Sequence, residues 1–184
     1  MNKSAIRSEE RIVNAFFKLL DQNDIYNISV VKICEVAQVS RKTFYKHFSV
    51  KEDIIERFFE TKGQHYLNSL KYKRFNSFNE VIVYYFEFWN QYKREMQTLL
   101  KNNMMAPFFN PNLQPFYEIY RNLNFPWHSA TKKNEIAIVS YFFSGGLQSL
   151  YLYILKNDCP NKINIIASTL MQAFAKISSK NNLA

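Results

Sequence analysis

The sequence predicts an all-α protein on three observations. Only three Gly and five Pro occur in 184 residues, too few to turn the chain of a strand-rich fold. Apolar residues make up 47% and charged residues 21%, the balance of a globular chain able to bury a core. Apolar positions recur at intervals of three and four, the spacing of one helix face. A chain of this length suits two small domains, expected at residues 6–66 and 67–184.

The first helix is expected to open at Ser8, an N-cap followed by Glu9 and Glu10 in the first turn, with Ile12, Ala15, Phe16 and Leu19 on one face. The polar run "DQND" ends it. Ser29 caps the next helix, with Ile28 and Ile33 at the positions of a hydrophobic staple, and Val30, Ile33, Cys34 and Ala37 form its apolar face. Gln38 and Val39 leave room only for a tight turn before Ser40, the next N-cap. Two short helices must therefore meet steeply, which is a helix-turn-helix over about residues 29–48.

On the helix from Arg41 to Phe48, at 100° per residue, Phe44 and Phe48 lie together and should pack inward. Lys42, Thr43 and Lys46 then lie roughly opposite, with Tyr45 and His47 on the flanks and Arg41 near the start. Ser49 and Glu52 fit a capping box for a following helix, which puts Lys51 in a first turn where the macrodipole disfavours a cation. A phosphate docked at that helix start would compensate it.

The net charge of +9 suggests a polyanionic partner without identifying one. Residues 1–59 are nearly balanced, with ten Lys and Arg against eight Asp and Glu, so the positive charge of residues 41–51 is local. A cationic face with hydroxyls and an aromatic can bind phosphates through Lys and Arg and read base edges through Thr, Tyr or Lys. The alternative is a solvated basic helix. Cys34 and Cys159 form no C-x-x-C pair and have no His at metal-ligand spacing, so neither a disulfide framework nor a metal site is expected. His47, His65 and His128 lie in no triad or glycine-loop pattern, so no catalytic residue and no cofactor are expected. The amino terminus lacks the apolar core of a secretory signal, and a cytoplasmic location is the expectation.

The stretch "SVVKICEVAQVSRKTFYKHFSVKEDI" closely resembles the helix-turn-helix of the tetracycline-repressor (TetR) family of bacterial transcriptional regulators, whose pattern is similar to T-V-x-x-I-A-x-x-A-G-V-S-x-x-T-F-Y-x-H-F-x-x-K-x-x-L. The resemblance covers about Arg7 to Gln64. It departs at Gln38, where the family has Gly, and at Cys34, where it has Ala. It implies that Arg41, Lys42, Thr43, Tyr45, Lys46, His47 and Lys51 face a double-stranded DNA operator.

Further on, Ser77 and Glu80 fit a capping box that opens "SFNEVIVYYFEFWNQY", and Pro107, Pro111, Pro115 and Pro126 break the middle of the chain into shorter helices. Of 31 Phe, Tyr and Trp, 23 follow residue 60, enough for a wide apolar interior. The resemblance implies that such an interior holds an unknown small apolar or amphipathic effector, with Phe86, Trp89, Tyr117 and Tyr120 as candidates. Residues 136–155 run without a charge and match a membrane span in length. Ser140, Ser144 and Gln148 make a polar stripe there while Ile136, Val139, Phe143, Leu147, Leu150 and Ile154 line another side, which favours an unevenly buried helix over contact with lipid. Adjacent Gly145 and Gly146 suggest close approach by another backbone. The last helix, about Lys162 to Ile177, carries Ile163, Ile166, Leu170 and Phe174 at helical spacing. The resemblance implies that the final two helices pair with those of a second copy, through Gly145, Gly146, Leu150, Ile166 and Leu170, in a homodimer set on a palindromic operator.

Overall fold

The computed structural model describes residues 3–110, 132–157 and 162–181. Eight α-helices account for most of them, and among the described residues there is no strand. They are α1 (Lys3–Leu20), α2 (Val30–Ala37), α3 (Arg41–His47), α4 (Asp53–Leu70), α5 (Phe78–Asn90), α6 (Lys93–Lys101), α7 (Lys133–Lys156) and α8 (Ile163–Asn181), with 3-10 turns at Ile25–Asn27 and Ala106–Phe109.

The described chain divides into two compact units. One combines residues 3–65 with 94–110, and the other combines 66–93 with 132–157 and 162–181. The division falls within α4, one residue before the boundary expected from the sequence. The first unit also takes in α6 and the second 3-10 turn, which lie far beyond that boundary.

Within the first unit, Ile12, Phe16 and Leu20 of α1, Ile33 and Ala37 of α2, Phe44 of α3 and Ile54 and Phe58 of α4 are buried. Phe17 packs on Phe58 at 4.8 Å between ring centroids, and Phe59 packs on Phe108 at 5.4 Å. Asp21, just past the end of α1, accepts hydrogen bonds from the Arg94 guanidinium at 2.7 Å and the Thr98 hydroxyl at 3.2 Å, both on α6. These two donors hold the Asp21 carboxyl below its ordinary range.

Two helix starts differ from expectation. α1 begins at Lys3, five residues before Ser8, which therefore lies inside the helix and does not cap it. α4 begins at Asp53 rather than after Ser49, and the Asp53 carboxylate reaches back from the first helical position: Oδ2 accepts from the Ser49 and Val50 amides at 2.8 and 3.0 Å. Glu52 is not the capping residue. The cap at Ser77 forms as expected, its hydroxyl accepting from the Glu80 amide, while the Glu80 carboxylate accepts from the Asn76 amide at 2.9 Å.

In the second unit the buried side chains are aromatic to an unusual degree. Tyr66 packs on Phe88 at 5.0 Å, Phe86 stacks on Tyr151 at 6.5 Å, and the Tyr151 hydroxyl donates to the Trp89 carbonyl at 2.8 Å. Burial pushes the Tyr66 and Tyr85 phenols well above their ordinary range, so both stay neutral.

Candidate nucleic-acid interface

The site is built from α2, α3 and the turn between them. Ser29 caps α2 by accepting from the Lys32 amide, and Ser40 caps α3 by accepting from the Thr43 amide at 3.0 Å. Between them Gln38 adopts a left-handed conformation, φ 52 and ψ 50, where the family pattern has Gly. That conformation costs a side chain roughly 1 kcal/mol. It is offset by the bonds it closes: the Gln38 amide to the Glu35 carbonyl, the Val39 amide to the Cys34 carbonyl, and the Arg11 guanidinium to the Gln38 carbonyl. α3 is two turns long and could not hold itself helical alone. These ties, with the caps, fix where it points.

Phe44 is 0% exposed and Phe48 3%, so the two phenylalanines anchor α3 inward as its spacing requires. Arg41, Lys42 and Lys46 are exposed, and among the described residues no carboxylate pairs with them. Tyr45 is 51% exposed and sets its ring edge-on to Phe44 at 5.4 Å. Thr43 is half-buried, its hydroxyl 2.9 Å from that of Ser40. These five residues share one surface of three unpaired cations, an aromatic and a hydroxyl. That surface can hold phosphates and reach base edges.

Two of the seven sequence-derived positions are placed elsewhere. The His47 side chain is 9% exposed, its Nδ1 3.3 Å from the Glu9 carboxylate on α1, which also lies 3.5 Å from the Arg57 guanidinium on α4. Lys51, outside any helix, turns its ammonium back to donate to the carbonyls of Ile25 at 2.6 Å and Ile28 at 2.8 Å. The compensation that the sequence assigns to a phosphate is thus supplied by the protein's own backbone. Sequence reasoning had no signal for either partner, since Glu9 is 38 positions from His47 and the two carbonyls are 26 and 23 from Lys51.

Residues 12–58, which include every element of this surface, match the family model for bacterial regulatory proteins of the tetR family. The helix-turn-helix region is of the TetR type. Among TetR-like relatives, an HTH-type transcriptional regulator of Staphylococcus aureus (strain bovine RF122 / ET3-1) is 25% identical over 130 residues, 67% of this chain and 70% of that protein. The HTH-type dhaKLM operon transcriptional activator DhaS of Lactococcus lactis subsp. lactis (strain IL1403) is 32% identical over 66 residues, 36% of this chain and 35% of its own. Two solved structures share the fold. A dihydroxyacetone kinase operon activator DhaS has a TM-score of 0.59 at 16% identity, covering 92% of this chain and 97% of that one. Lin0861 from Listeria innocua has a TM-score of 0.70 at 15% identity, covering 96% of this chain and 93% of that one. With this TetR-type region, the protein is a DNA-binding transcriptional regulator.

The remaining candidates lie beyond the TetR-type region, in the second unit. Phe86 and Trp89 are both 0% exposed and belong to its aromatic core. Tyr117 and Tyr120 lie outside the described residues. On α7, Ser140, Ser144 and Gln148 are buried together with Leu147 and Ile154, so the polar stripe faces inward. Ile138, Phe142 and Tyr153 are exposed instead, at 69%, 64% and 57%. Gly146, Leu150, Ile166 and Leu170 line one open groove along α7 and α8. A Cβ built at Gly145 or Gly146 meets nothing within 4 Å, so among the described residues no other backbone makes a close approach at that pair.

Proposed function

We infer that this regulator acts in the cytoplasm as a homodimer that occupies a palindromic operator, blocks a promoter, and is released by a small apolar or amphipathic effector. The carrying observation is the surface of α3, where Arg41, Lys42, Tyr45 and Lys46 stand out opposite buried Phe44 and Phe48. Residues 6–66 are proposed as the DNA-binding domain and residues 67–184 as the effector and dimerisation domain. Arg41, Lys42 and Lys46 contact phosphates in this reading, and Thr43 and Tyr45 reach base edges in the major groove.

The homodimer is supported by the exposed apolar stripe Ile138, Phe142, Gly146, Tyr153 on α7 and the groove beside it. Two-fold symmetry then places two copies of α3 on successive half-sites. The effector reading is supported by the aromatic interior around Phe86 and Trp89. An effector that favours one spacing of the two DNA-binding domains releases the operator, and the coupling must appear reciprocally in both binding constants.

Two other readings have specific support. The relative DhaS is named an activator, which favours activation as the sign of regulation. Helix α7, with 24 residues, is long and apolar enough to cross a membrane, and its exposed stripe would suit lipid. Its buried polar face favours a place in the helical unit.

The test is selection of genomic duplex fragments by the purified protein at low ionic strength, followed by footprinting and transcription from the recovered promoters. Protection of a two-fold site by a detergent-free dimer, with transcription lowered, supports the reading. A folded protein that retains no duplex refutes it, raised transcription assigns activation, and solubility only in detergent assigns α7 to lipid.

A further inference from the structure

We propose that Lys51 serves DNA recognition as a positioning residue, by holding the entrance of α2, and does not contact a phosphate. The proposal rests on the operator-binding reading above.

Lys51 sits between α3 and α4, and its ammonium is part-buried between the carbonyls of Ile25 and Ile28, at 2.6 and 2.8 Å. Ile25 opens the 3-10 turn and Ile28 immediately precedes Ser29, the cap of α2. Both isoleucine side chains are buried, so the two carbonyls are held in place by the core beneath them. The Ile25 carbonyl already accepts from the Ile28 amide, which makes the turn a closed ring onto which the ammonium is clipped. One side chain thereby ties the segment after α3 to the segment before α2, and the helix-turn-helix is spanned between them.

Two of the three ammonium protons are committed to these carbonyls. A phosphate would have to share the third or pull the ammonium off both. The adjacent start of α4 offers an anion little more, because the Asp53 carboxylate already accepts from the free amides of Ser49 and Val50. A negative charge from within the chain thus takes the two amides that lead into the helix and already complements its positive end. Arg41, Lys42 and Lys46 have no such internal acceptors among the described residues.

Contact and positioning leave different marks on binding. Each neutralised phosphate adds about 0.9 to the slope of log affinity against log salt, whereas a misplaced helix lowers affinity for the right sequence without changing the number of ions released. The experiment compares wild type, Lys51→Met, Lys51→Arg and Lys42→Ala on a duplex recovered by wild type and on poly(dI-dC), over a range of KCl.

The expected result is that Lys51→Met binds the recovered duplex at least tenfold more weakly, binds poly(dI-dC) within twofold of wild type, and keeps the wild-type salt slope. Lys51→Arg, which retains donors for both carbonyls, recovers most of the loss, and Lys42→Ala flattens the slope by about 2 per dimer. A slope flattened by 1 to 2 in Lys51→Met, with equal loss on both duplexes, overturns the proposal, as does full affinity in that variant. Should Lys51→Met not fold, Lys51→Gln, which keeps an N–H donor without the charge, decides by the same slope. If wild type retains no duplex at all, the operator reading fails before the role of Lys51 is reached.

Discussion

Replacing Phe44 with Ala tests the feature on which the DNA surface depends. The side chain is 0% exposed, packs edge-on to Tyr45 at 5.4 Å and lies 5.7 Å from Phe48. Deleting such a ring removes its transfer free energy and leaves a cavity, together about 3–5 kcal/mol. At about 1.4 kcal/mol per power of ten, opening of the first unit should become roughly a thousandfold more frequent. A small unit commands only about 5–15 kcal/mol in all, so the variant is folded but marginal. The assay needs a local probe, since both tryptophans, Trp89 and Trp127, lie outside the helix-turn-helix. Amide exchange of peptides covering residues 30–48 supplies it. Lys42→Ala, at an exposed position, is the control: stability within about 0.5 kcal/mol of wild type and weaker DNA binding. If Phe44→Ala changes exchange by less than about 1 kcal/mol, or Lys42→Ala destabilises as much, α3 faces the other way and the assignment of its surface fails.

With Arg41, Lys42 and Lys46 outward and Lys51 turned in, a dimer offers six phosphate contacts, so the salt slope of operator binding should be about −5; a measured slope steeper than about −7 would bring in cations from elsewhere. Gly146→Ala should stabilise α7 by up to about 1 kcal/mol in the free chain, because an added Cβ meets nothing within 4 Å. Gly146→Trp should convert the proposed dimer to a folded monomer in light scattering, and a dimer that tolerates tryptophan there has its seam on another face. The Asp21 carboxyl is held down first by Arg94 and then by Thr98, so its stabilising effect is complete above its unfolded value and is lost as pH falls through the lowered folded one. Asp21→Asn should therefore destabilise the first unit at pH 7, where the carboxylate's effect is complete, and cost progressively less as pH falls below about 4, so that part of the acid sensitivity disappears, which denaturation at several pH values will show.

The parts of this molecule legible in its sequence are those whose partners lie within one or two helical turns. Ser29, Ser40 and Ser77 cap helices because each hydroxyl reaches an amide three positions ahead, and Phe44 and Phe48 face inward because four residues return a helix to the same side. Even the strained turn at Gln38 follows from how few residues separate two caps. What was not legible depended on distant chain. A lysine at residue 51 reads as a free cation until folding brings the carbonyls of residues 25 and 28 to it. His47 reads as a flank of the DNA face until Glu9 is placed beside it. α6 joins the first unit through Asp21, a residue 73 positions before Arg94. On α7, periodicity separates a polar from an apolar side but not inside from outside, and the serines and Gln148 lie inside while Ile138 and Phe142 do not.

The division of the cations has a consequence for reading any binding defect in this protein. α3 has seven residues, and its orientation comes from Phe44, Phe48, the bonded turn at Gln38 and the contact of His47 with Glu9. Loss of any of these tilts the same helix that carries Arg41, Lys42 and Lys46, so a weakened operator complex by itself does not place a side chain on DNA. A tilt of a rigid seven-residue helix displaces all three cations together, whereas loss of one outward cation leaves the others in register. Discrimination between sequences is therefore the sensitive quantity for the frame, because base edges demand alignment within a hydrogen bond's tolerance. Salt dependence is the sensitive quantity for the contacts, because counterion release counts charges and is indifferent to which bases lie beneath them. Residues that change the first without the second belong to the scaffold of the helix-turn-helix, however basic they are.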